Sequence, residues 1–292
     1  MFAPIGKAVE EISDFFNDPW RRIEVTVPAI LYMIYAPTPA EVARVGLGIR
    51  KFHTGRNGEY GPEDENGQRR KYNALDRVPY AFAHFTFERM IFEGIRRFSP
   101  QQLTPDQQEQ LHLQCNEWGR REGVAECMLP QTKEDFDEVI RDYYDELEMT
   151  PAAEHTLDLL TTRKLPRPEL VITSEETWER IQRPFSAAMD ILTRGGLTPE
   201  VQKKFGLELS LKERLILKGI ERAISTMWHR LPRSLQLQPV AREAIAPAAE
   251  NKSRIVRWLC AKVDATTREM KWAQRPQEPA ANGVEHPLVS GD

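Results

Sequence analysis

The sequence has few of the features that mark several well-known classes of protein. Its 292 residues include only 3 cysteines, Cys115, Cys127 and Cys260, and no two of them form a Cys-x-x-Cys pair. An odd number without paired spacing excludes a disulfide framework and a thiolate metal site, and it fits a reducing compartment. The net charge of -4 gives no long-range attraction to nucleic acid or to an anionic membrane surface. We therefore expect no nucleic-acid partner.

Long hydrophobic runs are also missing. The longest, residues 27–36, is far shorter than the roughly 20 residues that a membrane-spanning helix requires. The first residues carry acidic side chains and a proline where a signal peptide would have a continuous apolar stretch. From these absences the sequence predicts a cytoplasmic protein without a membrane span.

Signature motifs of several enzyme classes are absent too. There is no phosphate-binding Gly-x-x-x-x-Gly-Lys, no Gly-x-Ser-x-Gly nucleophile turn and no zinc-binding His-Glu-x-x-His. One Glu-x-x-His occurs at Glu109 and His112, but a carboxylate-bridged di-iron bundle takes that motif from two helices. A di-iron enzyme is therefore the weakest alternative. Four histidines without a recognisable constellation are expected to have no part in a site: His112, His155, His229 and His286.

The sequence does contain a series of helix starts. Threonine followed by proline suits a helix N-terminus, because the threonine side chain accepts a bond from a free backbone N–H and proline has no N–H to leave unpaired. These pairs are Thr38-Pro39, Thr104-Pro105, Thr150-Pro151 and Thr198-Pro199. Glu41 and Gln107 complete capping boxes in the first two pairs, and Ser210 with Glu213 forms another.

Apolar residues recur with helical spacing after these starts. One stripe comprises Phe136, Val139, Ile140, Tyr143 and Leu147, a second comprises Leu211, Leu215, Ile220, Ile224, Met227 and Leu231, and a third comprises Ile255, Leu259 and Val263. Residues 77–98 are rich in aromatic side chains and apolar on more than one side, as in a buried helix. The predicted helices are 5–17, 19–36, 39–53, 77–98, 105–123, 133–148, 151–163, 175–194, 210–230 and 251–272.

These patterns predict an all-α protein with a single large domain. About ten helices over residues 1–272 are expected to surround the central helix 77–98. Residues 54–76 are polar and glycine-rich, and we expect them to form a loop. Residues 273–292 have no periodicity and are predicted to be a disordered tail.

Several blocks, in a fixed order, resemble the helical oxygenase family of MpaB-type oxygenases and bacterial rubber oxygenases (latex clearing proteins). The resemblance covers roughly residues 9 to 240, and the order and spacing of the blocks carry it. The blocks are FFNDPWRRIEVT, the helix ending in IRKFH, KYNALDRVPYAFAHFTFERM, the LTPDQQEQ helix with GRREGV, and TPAAEHTLDLL. The family has an all-helical fold and binds haem b, and its rubber oxygenases cleave carbon–carbon double bonds with O2.

The resemblance implies that His53, in an Arg-x-x-His pattern, is the axial ligand of the haem iron. A neutral imidazole is a good iron ligand. Arg50, one turn back, is expected to reach a haem propionate, and Gly46 and Gly48 thin the helix where a flat macrocycle would approach. The alternative is that His53 has no functional role and lies at the C-terminal end of a helix, where a positively charged side chain interacts favourably with the helix dipole.

On the distal side, the rubber oxygenase pattern Arg-x-x-Lys-Thr aligns with residues 22–26. Arg22 and Thr26 match, whereas Val25 replaces the lysine, so we expect an open or water-bound sixth position. Thr26 is expected to hydrogen-bond oxygen and Arg22 to orient the distal pocket, with a surface arginine and a helix-interior threonine as the alternative. Glu11, or Glu10 beside it, is the candidate base, although either one also fits an ordinary solvated acid.

His84 falls where the family tends to carry a histidine in its aromatic helix. We expect a buried, hydrogen-bonded structural histidine with Glu88 orienting its ring, and the alternatives are that His84 lines the haem pocket or is itself the axial ligand. The leading hypothesis is a haem b-dependent oxygenase that acts with O2 on a small apolar molecule, alkenes among the candidates. The alternative is a non-catalytic helical protein that binds a hydrophobic ligand or a partner. The sequence names no electron donor.

Overall fold

The computed structural model describes residues 1–12, 15–35, 39–162, 164–167 and 174–228, together with 230–232 and 236. Within these residues, ten α-helices account for nearly all of the regular structure. They are α1 (Ala3–Ile12), α2 (Pro19–Tyr35), α3 (Pro39–His53), α4 (Arg77–Phe98), α5 (Pro105–Glu122), α6 (Lys133–Asp145), α7 (Pro151–Thr161), α8 (Glu175–Gly196), α9 (Pro199–Phe205) and α10 (Leu211–Trp228). The all-α prediction is confirmed. The predicted helix 251–272, the domain end at 272 and the tail 273–292 lie outside the described residues.

The predicted caps explain where several of these helices begin. The Thr104 side chain accepts the backbone N–H of Gln107, whose own side chain accepts the N–H of Thr104, so that capping box is confirmed. The side chains of Thr150 and Thr198 cap α7 and α9 by accepting one backbone N–H each, with proline in the first turn. Ser210 and Glu213 bond reciprocally at the start of α10. The predicted capping box at the start of α3 stays a prediction, because Thr38 and the side chain of Glu41 lie outside the described part of the chain.

Helix α4 is buried at the centre of the bundle, as predicted. Its aromatic residues pack against the apolar stripe of α6, against the N-terminal segment and against a short 3-10 helix, Glu126–Met128. The buried cluster comprises Phe2, Ala81, Phe82, Phe85, Val124, Leu129, Phe136, Ile140 and Tyr143. The predicted α6 stripe is thus confirmed. Among the described helices, none combines the length and apolar character that a membrane span needs.

Three sequence predictions about local structure were wrong. The polar segment 54–76 contains an antiparallel hairpin of β1 (Asn57–Tyr60) and β2 (Arg70–Asn73), with Asn57 opposite Asn73. Tyr72 of β2 is buried and its hydroxyl donates to Glu11 at the end of α1, so the hairpin is attached to α1. Helix α1 ends at Ile12, short of the predicted residue 17, and α9 was not predicted as a separate helix.

The apolar stripe predicted for α10 is not a core stripe. Leu211, Leu215 and Met227 are 81%, 71% and 64% exposed, and none of the described side chains of α10 is buried. The helix lies against α4 and α8 through other positions. Helical spacing alone was a poor guide here, because it indicates a face without showing what covers it.

A second core cluster joins α2, α3 and α5. It comprises Ala29, Met33, Val42, Val45 and Trp118. At the crossing of α3 with α5, Gly46 is buried, and a Cβ atom at this position would overlap the carbonyl oxygen of Arg121. The missing side chain at Gly46 therefore lets the two helix backbones approach each other.

Replacing Gly46 with alanine is expected to lower the free energy of unfolding by about 1–3 kcal/mol, because α3 has to move away from α5. The gain in helix propensity, about 1 kcal/mol, is too small to offset that strain. Gly48 is the matched control, since a Cβ there meets no atom within 4 Å. Urea denaturation of G46A and G48A measures both, and equal behaviour of the two variants would contradict the packing argument.

Candidate active site

His53 ends α3 with its ring half-buried. Its Nδ1 atom lies 2.8 Å from the carbonyl oxygen of Ile49, one turn earlier in the same helix. A carbonyl only accepts hydrogen bonds, so Nδ1 carries the proton and the lone pair of the neutral ring resides on Nε2. This backbone contact therefore fixes the tautomer of His53.

Tyr80 of α4 stands beside His53. The two rings meet edge to face, with centroids 5.7 Å apart and an interplanar angle of 89°. The Tyr80 hydroxyl donates to the backbone carbonyl of Glu122, 2.9 Å away, at the end of α5. Burial, together with the charge of Glu122, raises the pKa of Tyr80 to about 12, so the phenol remains a hydrogen-bond donor at neutral pH. The end of α3 is thus connected to α5 through α4.

Arg50 makes a second connection between α3 and α5. Its Nη1 atom donates to the carbonyl oxygen of Gly123 over 3.1 Å. Gly123 follows α5 with a φ of 94°, a left-handed conformation that caps the helix and that glycine adopts without strain. Arg50 remains exposed, so it supplies a positive charge at this end of the bundle.

A buried carboxylate that the sequence analysis overlooked lies behind Tyr80. Oε2 of Glu122 lies 3.2 Å from Nδ1 of His84, and Oε1 accepts the indole N–H of Trp118 at 2.6 Å. The prediction that Glu88 orients His84 was therefore wrong. The only sequence signal was the position of Glu122 in the GRREGV block, because the partners are 38 residues apart.

The His84 ring is buried against α5. A Cβ atom at Gly119 would lie 2.9 Å from Nε2 and 3.2 Å from both adjacent ring carbons, so this glycine lets the ring pack flat on the helix. Nε2 has no hydrogen-bond partner among the described residues. His84 is thus a buried imidazole with one nitrogen held by a carboxylate and the other unpartnered.

The two predicted distal residues lie on α2. Its Ala29 and Met33 share a core cluster with Val42 and Val45 of α3. Thr26 is half-buried on α2. The side chains of Arg22 and Val25 lie outside what the structure describes.

Gly46 and Glu11 have other partners. The contact with Arg121 accounts for glycine at position 46 without a cofactor, and a contact of Gly46 with a macrocycle stays a prediction. Glu11 is exposed at the end of α1, where its Oε2 atom accepts the Tyr72 hydroxyl at 2.7 Å and Lys7 lies 3.3 Å from Oε1. The Tyr72 hydrogen bond lowers the pKa of Glu11, which weakens it as a base.

Tyr72→Phe is expected to raise the pKa of Glu11 toward its ordinary value, because the hydroxyl that stabilises the carboxylate is removed. A lowered pKa stabilises the fold above the ordinary Glu pKa, and this contribution disappears as the pH falls through the folded value. The stability difference between wild type and Y72F should therefore shrink on acidification. NMR titration of the Glu11 carboxyl measures the shift, and Tyr60→Phe in the same hairpin is the control that should leave it unchanged.

A second buried histidine–carboxylate pair lies deeper between α4 and α5. Nδ1 of His112 is 2.7 Å from Oε1 of Glu88, and its Nε2 atom is 3.1 Å from the carbonyl oxygen of Pro130. Burial alone lowers the pKa of His112, but the hydrogen bond and charge of Glu88 outweigh it, so the pKa is raised overall. The expectation that His112 has no constellation was wrong. Glu109 instead accepts the backbone N–H of Lys133.

Comparison with known proteins gives one match. The model of the family described as "ER-bound oxygenase mpaB/B'/Rubber oxygenase, catalytic domain" matches residues 1–227, from the first helix to the last turn of α10. No curated protein and no solved structure matches the chain. The matched segment includes every residue of the site described above.

Proposed function

Because the chain belongs to the family of MpaB-type and rubber oxygenase catalytic domains, we propose that it is a haem b-dependent oxygenase acting on a small apolar molecule. Oxygenase chemistry follows from the family, whereas the haem and the substrate class are our inference. Alkenes are the candidate substrates, because the rubber oxygenases in the family act on them. O2 is the second substrate.

The observation that carries the proposal is the fixed tautomer of His53. An axial histidine usually donates its second nitrogen to a carbonyl or carboxylate, which orients the ring and makes the ligating nitrogen more basic. The bond from Nδ1 of His53 to Ile49 has this form and directs the lone pair to Nε2. The donor set at the end of α3 therefore fits an iron porphyrin.

The other residues would hold and shape the site. Arg50 supplies a cation that suits a carboxylate of the porphyrin, provided that its bond to Gly123 is retained or exchanged. Tyr80 keeps the His53 ring in one orientation through its edge contact. Thr26 would provide a hydroxyl and Arg22 a positive charge on the α2 side, and His84 would line the pocket. Bound haem supplies O2 activation and electron transfer, while the protein sets ligation and polarity.

The visible spectrum of the purified protein tests the proposal. The protein is produced in cells supplied with iron and a haem precursor, and a Soret band with a stoichiometric haem content is the expected result. Cleavage or oxygenation of an alkene under O2 is then measured on the loaded protein. A colourless protein without iron would contradict the proposal and favour the non-catalytic alternative, and iron without porphyrin would favour the di-iron alternative.

A further inference from the structure

Glu122 forms hydrogen bonds with three residues of the candidate site, two through its side chain and one through its backbone. Its two carboxylate oxygens each take one donor, Oε2 from Nδ1 of His84 and Oε1 from the indole of Trp118. Its backbone carbonyl takes the hydroxyl of Tyr80, which packs against His53. One residue therefore links both histidines of the site.

The protonation pattern around Glu122 is determined by Trp118. An indole N–H can only donate, so Oε1 is committed to Trp118, and Oε2 remains for His84. A carboxylate oxygen only accepts, so the His84 ring has to carry its proton on Nδ1. The lone pair of the neutral ring is then on Nε2, the buried atom that lacks a partner among the described residues.

An unpartnered buried nitrogen is costly unless something binds to it. A carboxylate on one side of an imidazole and a free lone pair on the other form the arrangement that orients histidines toward metal centres. His112 offers a contrast, because both of its nitrogens have partners: Nδ1 faces Glu88, and Nε2 faces the Pro130 carbonyl and the Asn116 amide. Of these two buried histidines, only His84 has a nitrogen without a partner among the described residues.

We propose that Glu122 is the positioning residue of this site: its carboxylate fixes His84 as the Nδ1–H tautomer and leaves the buried Nε2 atom as the one offered to the cofactor, while its carbonyl holds Tyr80 against His53. The proposal has two halves. The cofactor half, that Nε2 of His84 is offered to the cofactor, rests on the proposed haem-dependent function. The tautomer half, that Glu122 keeps the proton of His84 on Nδ1, concerns this chain alone, so the two halves can fail separately.

The decisive variant is Glu122→Gln, which has nearly the same shape. Trp118 would still need the one oxygen of the glutamine, so the amide NH2 group would face His84. Nδ1 would then have to accept, and the proton would move to Nε2. Nitrogen-15 NMR of histidine-labelled protein separates protonated from unprotonated ring nitrogens, and we expect Nδ1–H in the wild type and Nε2–H in E122Q.

A second variant tests the same logic by rescue. In the double variant E122Q/W118F no indole competes for the glutamine oxygen, so that oxygen can face His84 again. The Nδ1–H tautomer should return. Glu117→Gln is the matched control, because Glu117 is exposed on the same helix and pairs only with Arg120 and Arg121 among the described residues. Circular dichroism and thermal unfolding show whether each variant is folded.

The haem-loaded protein tests the cofactor half. E122Q is expected to shift the Soret band and to weaken haem binding by about tenfold or more, as for other partners behind cofactor-binding histidines. An unchanged His84 tautomer in folded E122Q, or an Nε2–H tautomer in the wild type, overturns the positioning role. A changed tautomer with an unchanged Soret band and haem affinity overturns the link to the cofactor. A wild type that binds no haem instead refutes the proposed function, and the tautomer result still decides the role of Glu122 toward His84.

Discussion

Replacing His53 with alanine is expected to remove haem from the purified protein, together with the Soret band and the oxygenase activity. The imidazole is the proposed protein ligand of the iron, and alanine offers no donor atom in its place. The fold should survive, because His53 is only half-buried and lies at a helix end. Haem content and the visible spectrum, measured beside circular dichroism, separate loss of the cofactor from loss of structure.

Adding free imidazole to the H53A variant tests whether the missing ring alone accounts for the loss of haem. If the variant keeps a pocket of the right shape, millimolar imidazole should restore part of the Soret band in H53A by replacing the missing ring. Two control variants should keep the haem. Lys51→Ala changes a residue in the same turn, and His155→Ala removes an imidazole next to Phe15 and Phe16. Full haem retention in H53A would mean that another residue ligates the iron, and the assignment of His53 would then be wrong.

Replacing His112 with alanine should be the most destabilising of the substitutions considered for the described core. The side chains of His112 and Glu88 are both fully buried, and their bond is 2.7 Å long. Removing one partner of such a pair leaves an uncompensated buried charge, which costs about 3–5 kcal/mol. The free energy of unfolding from urea denaturation measures the loss. Arg121→Ala breaks an exposed pair with Glu117 on the same helix and should cost less than about 1 kcal/mol.

The pH dependence of stability gives a second test of the buried pair. The folded pKa of His112 is raised above its ordinary value, so the pair contributes fully below the unfolded pKa of about 6.5. That contribution is lost as the pH rises through the folded pKa. Wild type should therefore lose stability relative to H112Q on going from acid to alkaline pH. A pH-independent difference would contradict a raised pKa of His112, because the proton uptake of the folded and unfolded states would then be the same. The double variant E88A/H112A should lose less than the two single variants together.

Much of the fold was predictable because its signals are local. A threonine cap and a following proline act within one helical turn, and the helices that begin at Pro105, Pro151 and Pro199 do so for that reason. The aromatic content of α4 indicated burial on several sides. The hairpin was missed because its contact with α1 through Tyr72 joins residues far apart in the chain, and the spacing that predicted the apolar stripe of α10 did not show that the stripe is exposed.

The candidate site was only partly predictable. His53 and Arg50 were named through the resemblance, and the structure adds their partners, Ile49 and Gly123, whereas their roles toward a cofactor stay predictions. Glu122 was overlooked and Glu88 was assigned to the wrong histidine, because each carboxylate meets its histidine only after α4 and α5 pack together. The roles of Arg22, Thr26 and Glu11 stay predictions.

The sequence by itself determined most of the helices, several of their caps and the family, since capping and periodicity depend on neighbours in the chain and the family on the order of its motifs. Only the tertiary structure decided which carboxylate holds which histidine. Glu122 with His84 and Glu88 with His112 are separated by 38 and 24 residues, and no local pattern distinguishes these pairings from the alternatives. The physical reason is burial: a charge between packed helices is stable only beside a partner that neutralises it, and packing alone determines which partner is within reach.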